Sequence, residues 1–78
     1  MFYIIIIMKK TKIVIHINGK KEIVNKDLKL INILEIFSIK NQLIAIELNE
    51  QIIPKSQYKI KKILNNDRIE ILELIGGG

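Results

Sequence analysis

The 78-residue sequence has no cysteine and no tryptophan, and only one proline (Pro54), one arginine (Arg68), one alanine (Ala45) and one histidine (His16). Without cysteine, disulfide stapling and thiolate zinc sites are excluded, and any sulfur chemistry must use a group other than a side-chain thiol. His16 has no second metal ligand at a useful spacing, so it reads as an ordinary strand residue, with no metal site and no catalytic role. The aromatics are Phe2, Tyr3, Phe37 and Tyr58. They are not interleaved with the lysines, and no RNA-binding signature is present, so the net charge of +5 reads as a solvated face, with nucleic acid absent from the expected partners. The apolar run over residues 2–7 is far shorter than the roughly 20 residues a membrane-spanning helix needs. It also lacks the basic lead and small-residue cleavage site of a signal peptide, so no membrane association is expected.

What is present is a strongly apolar small domain. Hydrophobic residues make up 49% of the chain, and isoleucine occupies 21 positions. A domain of this size buries only a little over ~60% of its unfolded surface and needs that apolar density. The bias toward Ile, Lys and Asn reads as genome composition. Met8, followed by Lys9 and Lys10, is a reasonable true start. The expected division is an N-terminal extension over residues 1–8, a domain over 9–75 and a flexible glycine tail over 76–78.

Along the chain, residues 12–18 alternate, with Ile13, Ile15 and Ile17 on one face and Val14 and His16 on the other. Asn18-Gly19 then predicts a type I′ hairpin, with a second strand over residues 21–25. Asp27 offers a helix cap, and Leu30, Ile33, Leu34 and Phe37 fall on one helical face. Ile31, Ile36 and Ile39 widen that stripe, predicting a deeply seated helix. Ile44, Ile46 and Leu48 then alternate inward against Ala45, Glu47 and Asn49. Asn49-Glu50-Gln51 reads as a turn, and Ile52-Ile53 before Pro54 as an edge strand. Tyr58, Ile60, Ile63 and Leu64 are expected to pack on the way back. Asn65-Asn66-Asp67 turns into a final strand whose Ile69 and Ile71 point to the core.

This order predicts an α+β domain: a mixed sheet of four to five strands with one helix across one face. The uncovered face carries Val14, Ala45, Leu72 and Leu74, the expected partner-binding patch. The final strand runs directly into Gly76-Gly77-Gly78. Glycine adds no packing and gives the chain the most freedom to lose on ordering, so the tail does not serve stability. It suits backbone that must enter a space too narrow for a Cβ, and three extended residues reach roughly 10 Å. The expectation is a C-terminal carboxylate presented to another protein's active site.

Asn18-Gly19, the Ile44-Ala45-Ile46-Glu47-Leu48-Asn49 segment continuing to Ile52-Ile53-Pro54-Lys55-Ser56, and Asp67-Arg68-Ile69-Glu70-Ile71 leading to Ile75-Gly76-Gly77-Gly78 together resemble the ThiS-type sulfur carriers. These are ubiquitin-like β-grasp proteins of thiamine biosynthesis. Lys29 departs from the helix-capping Thr that such relatives tend to carry, which bears on the helix start and not on function. The resemblance implies that the first and last strands pair in parallel at the centre of the sheet. It also implies that Gly78 carries the sulfur: a ThiF-like enzyme uses ATP and Mg²⁺ to adenylate its carboxylate, and a persulfide donor converts it to a thiocarboxylate. A ThiG-like thiazole synthase then accepts the sulfur, with Gly76 and Gly77 forming the slender approach. The implied compartment is the bacterial cytoplasm or the plastid stroma.

On this reading the protein is a co-substrate with no permanently bound cofactor. Glu70 and Glu73, three apart on a strand, point to opposite faces and cannot form an acid/base pair. Three alternatives stay open. They are the small subunit of a molybdopterin synthase (MoaD-like), a ubiquitin-like protein modifier, and a small RNA-contacting domain.

Overall fold

The computed structural model describes residues 11–40 and 44–74, so the extension expected over 1–8 and the tail over 76–78 lie outside the described residues. Five strands form one mixed sheet: β1 (Lys12–Ile17), β2 (Lys20–Asn25), β3 (Ile44–Leu48), β4 (Gln51–Ile53) and β5 (Arg68–Glu73). Their order is β2-β1-β5-β3-β4, with β1 and β5 parallel and every other pairing antiparallel. The first and last strands therefore sit together at the centre, as the resemblance implied. A helix, α1 (Leu30–Ile36), lies between β2 and β3 in sequence.

Both hairpins use two-residue loops, for one physical reason. A type I′ turn matches the strand twist but requires positive φ at both central residues. Asn18 and Gly19 supply φ of 50° and 82°, between the paired Ile17 and Lys20. Asn49 and Glu50 supply 51° and 71°, between the paired Leu48 and Gln51. The second turn is thus one residue shorter than expected, and Gln51 opens β4. That strand lies at the edge, where the following Pro54 withholds nothing from a ladder.

The helix spans seven residues, well below the ~12–15 that persist alone in water, so packing holds it. Leu30, Ile33 and Leu34 are buried in the core with Ile15, Ile46 and Ile69. Its N-cap is Lys29, not the expected Asp27. An ammonium has no acceptor for the first-turn amides; instead, Asn32 in the first turn accepts the Lys29 N–H through Oδ1 at 2.8 Å. Asp27 lies outside the helix at φ 67° and pairs with Lys62 at 2.8 Å. The hydrogen bond from Lys62 lowers the Asp27 carboxyl below its ordinary pKa. At the other end, Ser38 adopts φ 55°, the Ile39 N–H donates to Leu34 O, and the Ser38 N–H donates to Glu35 O. This is a Schellman ending with serine where glycine is usual.

The helix is seated on one side only. Ile36 is 55% exposed, while Ile31, Phe37 and Ile39 are partly buried, so the wide stripe was not a fully enclosed helix. In the returning segment Tyr58 and Ile63 are buried, but Ile60 and Leu64 are exposed. The Tyr58 carbonyl accepts the Ile31 N–H, and the Ile63 N–H donates to Leu28 O, which ties the segment to the helix and to the residues leading into it.

Candidate functional site

The site is built on β5, the strand that leads toward the glycine tail. Its start is held from several sides. Asp67 is 8% exposed, and its carboxylate accepts the Leu64 N–H at 2.7 Å and an Asn49 Nδ2 hydrogen at 2.9 Å. Asn49 also accepts the Arg68 N–H through Oδ1 at 2.9 Å. The Asn66 N–H donates to Val14 O, and Asn65 Oδ1 accepts the Val14 N–H at 2.8 Å. A buried carboxylate is tolerable only with such partners, and here they fix where the strand enters the sheet. Ile69, fully buried, anchors it to the core.

Farther along, β5 outruns β1. The register pairs Ile17, the last residue of β1, with Ile69. The Asn18 N–H donates to Ile69 O at 2.9 Å, and Asn18 Oδ1 accepts the Ile71 N–H at 2.7 Å. A turn side chain thus supplies the rung that the missing strand would have made. On its other edge β5 stays paired as far as Glu73, opposite Ile44.

The two faces of β5 diverge toward its end. On the helix side, buried Ile69 gives way to half-buried Ile71 and exposed Glu73. There a cleft of about 410 Å³ opens between Ile17, Ile39, Ile44 and Ile71, rimmed by Asn18, Ser38, Lys40 and Glu73. On the open face Leu72 is 46% exposed and Leu74 54%. Ala45 is the cross-strand partner of Leu72, and Glu47 that of Glu70. Glu70 and Glu73 therefore take opposite faces.

Of the expected partner patch, the structure brings together Ala45, Leu72 and Leu74 at the exit end. Val14 lies elsewhere. His16 is level with Arg68, so Val14, opposite Ile23, is about six residues, roughly 20 Å, from Leu72 along the strands. Ile52 was missed by the sequence reading. It is 70% exposed and pairs with Glu47, which places it on the open face beside the acidic pair. Gly76, Gly77 and Gly78 lie outside the described residues. Among the described residues no group of three His, Cys, Asp or Glu is arranged to hold a metal.

Comparison with known proteins agrees with this architecture. Residues 7–78 match the ThiS family. The sulfur carrier protein ThiS of Bacillus subtilis is 32% identical over 65 residues, covering 82% of this chain and 98% of that protein. The uncharacterized protein ycf40 of Trieres chinensis is 34% identical over 62 residues, covering 80% of this chain and 85% of that one. The crystal structure of the thiamine biosynthesis protein ThiS from Geobacter metallireducens superposes with a TM-score of 0.75 at 22% identity, covering 85% of this chain and 100% of that one, and so shares the fold. With a β-grasp sheet whose central strand leads to three glycines, and with the family match running through residue 78, the chain belongs to the ThiS family.

Proposed function

We propose that this chain is a sulfur carrier of thiamine biosynthesis and that Gly78 carries the sulfur as a terminal thiocarboxylate. The observation that carries the reading is the placement of β5: a strand paired on both edges at the centre of the sheet, and hydrogen-bonded at its start, is the one whose sequence continues into the glycine tail. A rigid base with a slender end suits a main chain that must be threaded into another protein's catalytic centre. Kinship with the Bacillus sulfur carrier adds support.

The chemistry follows from the ordinary properties of a carboxylate. Ionised near neutral pH, it is a poor acyl donor. A ThiF-like enzyme, using ATP and Mg²⁺, joins a Gly78 oxygen to the α-phosphorus and releases pyrophosphate. The terminal sulfur of a persulfide then attacks the acyl carbon and expels AMP. A thiol cleaves the resulting S–S bond and leaves the thiocarboxylate, whose sulfur passes to a ThiG-like thiazole synthase. The carrier supplies no catalytic group. Its contribution is the carboxylate, the Gly76-Gly77 approach, and a docking surface of Ala45, Leu72 and Leu74 near the tail. Of the two compartments, kinship with ycf40 proteins of algal plastid genomes favours the plastid stroma.

The reading is tested by expressing the chain in a bacterium that lacks its own ThiS, on medium without thiamine. Growth that is lost when Gly78 is deleted supports it. Equal growth with and without Gly78 would overturn it.

A further inference from the structure

The last strand is held unevenly near its end. On the β3 side its pairing runs on to Glu73, opposite Ile44. On the β1 side the paired residues stop at Ile17 and Ile69, and the chain turns away through Asn18-Gly19 into the outer strand β2. The Asn18 N–H still reaches Ile69 O, at 2.9 Å. Beyond it, among the described residues, a single hydrogen bond ties this edge of β5 to the sheet: Asn18 Oδ1 accepts the Ile71 N–H at 2.7 Å. Packing does not take its place, because the cleft of about 410 Å³ opens here on the helix side and Ile71 is only half-buried. The turn by itself does not call for this side chain. A type I′ turn needs positive φ at both central positions, and glycine would meet that need at position 18 as it does at 19. Asparagine and aspartate add a short side-chain oxygen, and here that oxygen crosses to β5.

We propose, given the carrier reading above, that Asn18 is a positioning residue for activation of the tail: by holding the Ile71 N–H it fixes the direction in which β5 leaves the sheet, and so how often the terminal carboxylate reaches the nucleotide on the activating enzyme. From Ile71 to Leu74 the strand runs three residues, roughly 10 Å, so a swing of about 10° at Ile71 displaces the root of the tail by about 2 Å. A displacement of that size takes a reacting group out of line. The docking patch is spared, because Leu72 keeps its pairing with Ala45 on β3. The loss therefore falls on the step at the carboxylate and not on binding.

The test is steady-state adenylation, read as pyrophosphate release with a ThiF-like enzyme and ATP, at a temperature where circular dichroism shows every chain folded. Asn18→Gly keeps the turn and loses the bond, so kcat should fall about fivefold, the worth of one hydrogen bond, with KM for the carrier within about twofold. Asn18→Asp restores an acceptor of the same reach and tolerates the same backbone, and should bring kcat back to within about twofold of the wild type. Ile33→Val is the stability control: it trims a fully buried side chain on α1, costs a comparable amount of stability, and should leave kcat within about twofold. An unchanged kcat in the glycine variant, a loss confined to KM, no recovery with aspartate, or an equal loss in the Ile33 variant overturns the proposal. A wild-type chain that takes no AMP from an enzyme that adenylates a ThiS relative overturns the carrier reading, and this role with it. Wild-type turnover matched by the glycine variant overturns this role alone.

Discussion

Asn18 has two separable tasks, and substitution can tell them apart. Its backbone sits at φ 50°, and its Oδ1 accepts the Ile71 N–H at 2.7 Å where β1 has ended. Asn18→Gly keeps the left-handed backbone and deletes the side-chain hydrogen bond, costing about 1 kcal/mol for the bond and a few tenths more for glycine's freedom in the unfolded chain. Asn18→Ala deletes the bond and also holds at φ 50° a residue without asparagine's tolerance of the left-handed region, adding about 1–2 kcal/mol. For a domain of this length each kcal/mol moves Tm by about 4–8 °C, so the alanine variant should melt roughly 8–24 °C below the wild type and the glycine variant about half as far. Thermal unfolding by circular dichroism gives the totals. Amide exchange gives the local effect: protection at Ile71 should fall in both variants, more than at residue 18, whose N–H keeps its bond to Ile69 O. If both variants melt with the wild type, or if Ile71 exchanges unchanged, the side chain does not complete the ladder and the argument for a braced exit fails.

Other substitutions probe the remaining parts. Ser38→Gly should stabilise by about 0.5–1 kcal/mol, because Ser38 ends α1 at positive φ; denaturant unfolding with an unchanged or lowered midpoint would contradict the Schellman assignment. Leu72→Lys with Leu74→Lys should leave unfolding within about 0.5 kcal/mol, since both are about half exposed, yet weaken the complex with the ThiF-like enzyme. Unaltered adenylation kinetics would make the patch incidental. Gly77→Val should likewise leave stability within ~0.5 kcal/mol while abolishing adenylation, because a β-branched side chain stands where the path admits bare backbone. Adenylation at the parental rate would show that the tail is a loose end.

Much of the fold could be read from local chemistry. Asn18-Gly19 announced its turn, the alternation of Ile44, Ile46 and Leu48 gave β3 and its inward face, and Pro54 marked β4 as an edge. Where the reading missed, the deciding contact was distant in sequence. Asp27 looked like a helix cap, but Lys62 claims its carboxylate from 35 positions away. Ile36, Ile60 and Leu64 are as apolar as their buried neighbours, and only the packing of the 54–66 segment against the helix decides which turn inward. The patch shows the same limit. Alternation put Val14 and Leu72 on one face, but only the β1–β5 register reveals that they lie at opposite ends of it, and only the β3–β4 register adds Ile52. The second task of Asn18 had no local signal at all, since it depends on β1 ending two rungs before Ile71.

The central claim, that Gly78 carries sulfur on its terminal carboxyl, is tested most directly by intact-mass analysis. The protein is incubated with a ThiF-like enzyme, ATP, Mg²⁺ and a persulfide-generating sulfur source. The account predicts a mass increase equal to one oxygen replaced by one sulfur, located by fragmentation to Gly78 and absent when ATP is omitted. An unchanged mass, with an enzyme preparation that thiolates a ThiS relative in parallel, would contradict it.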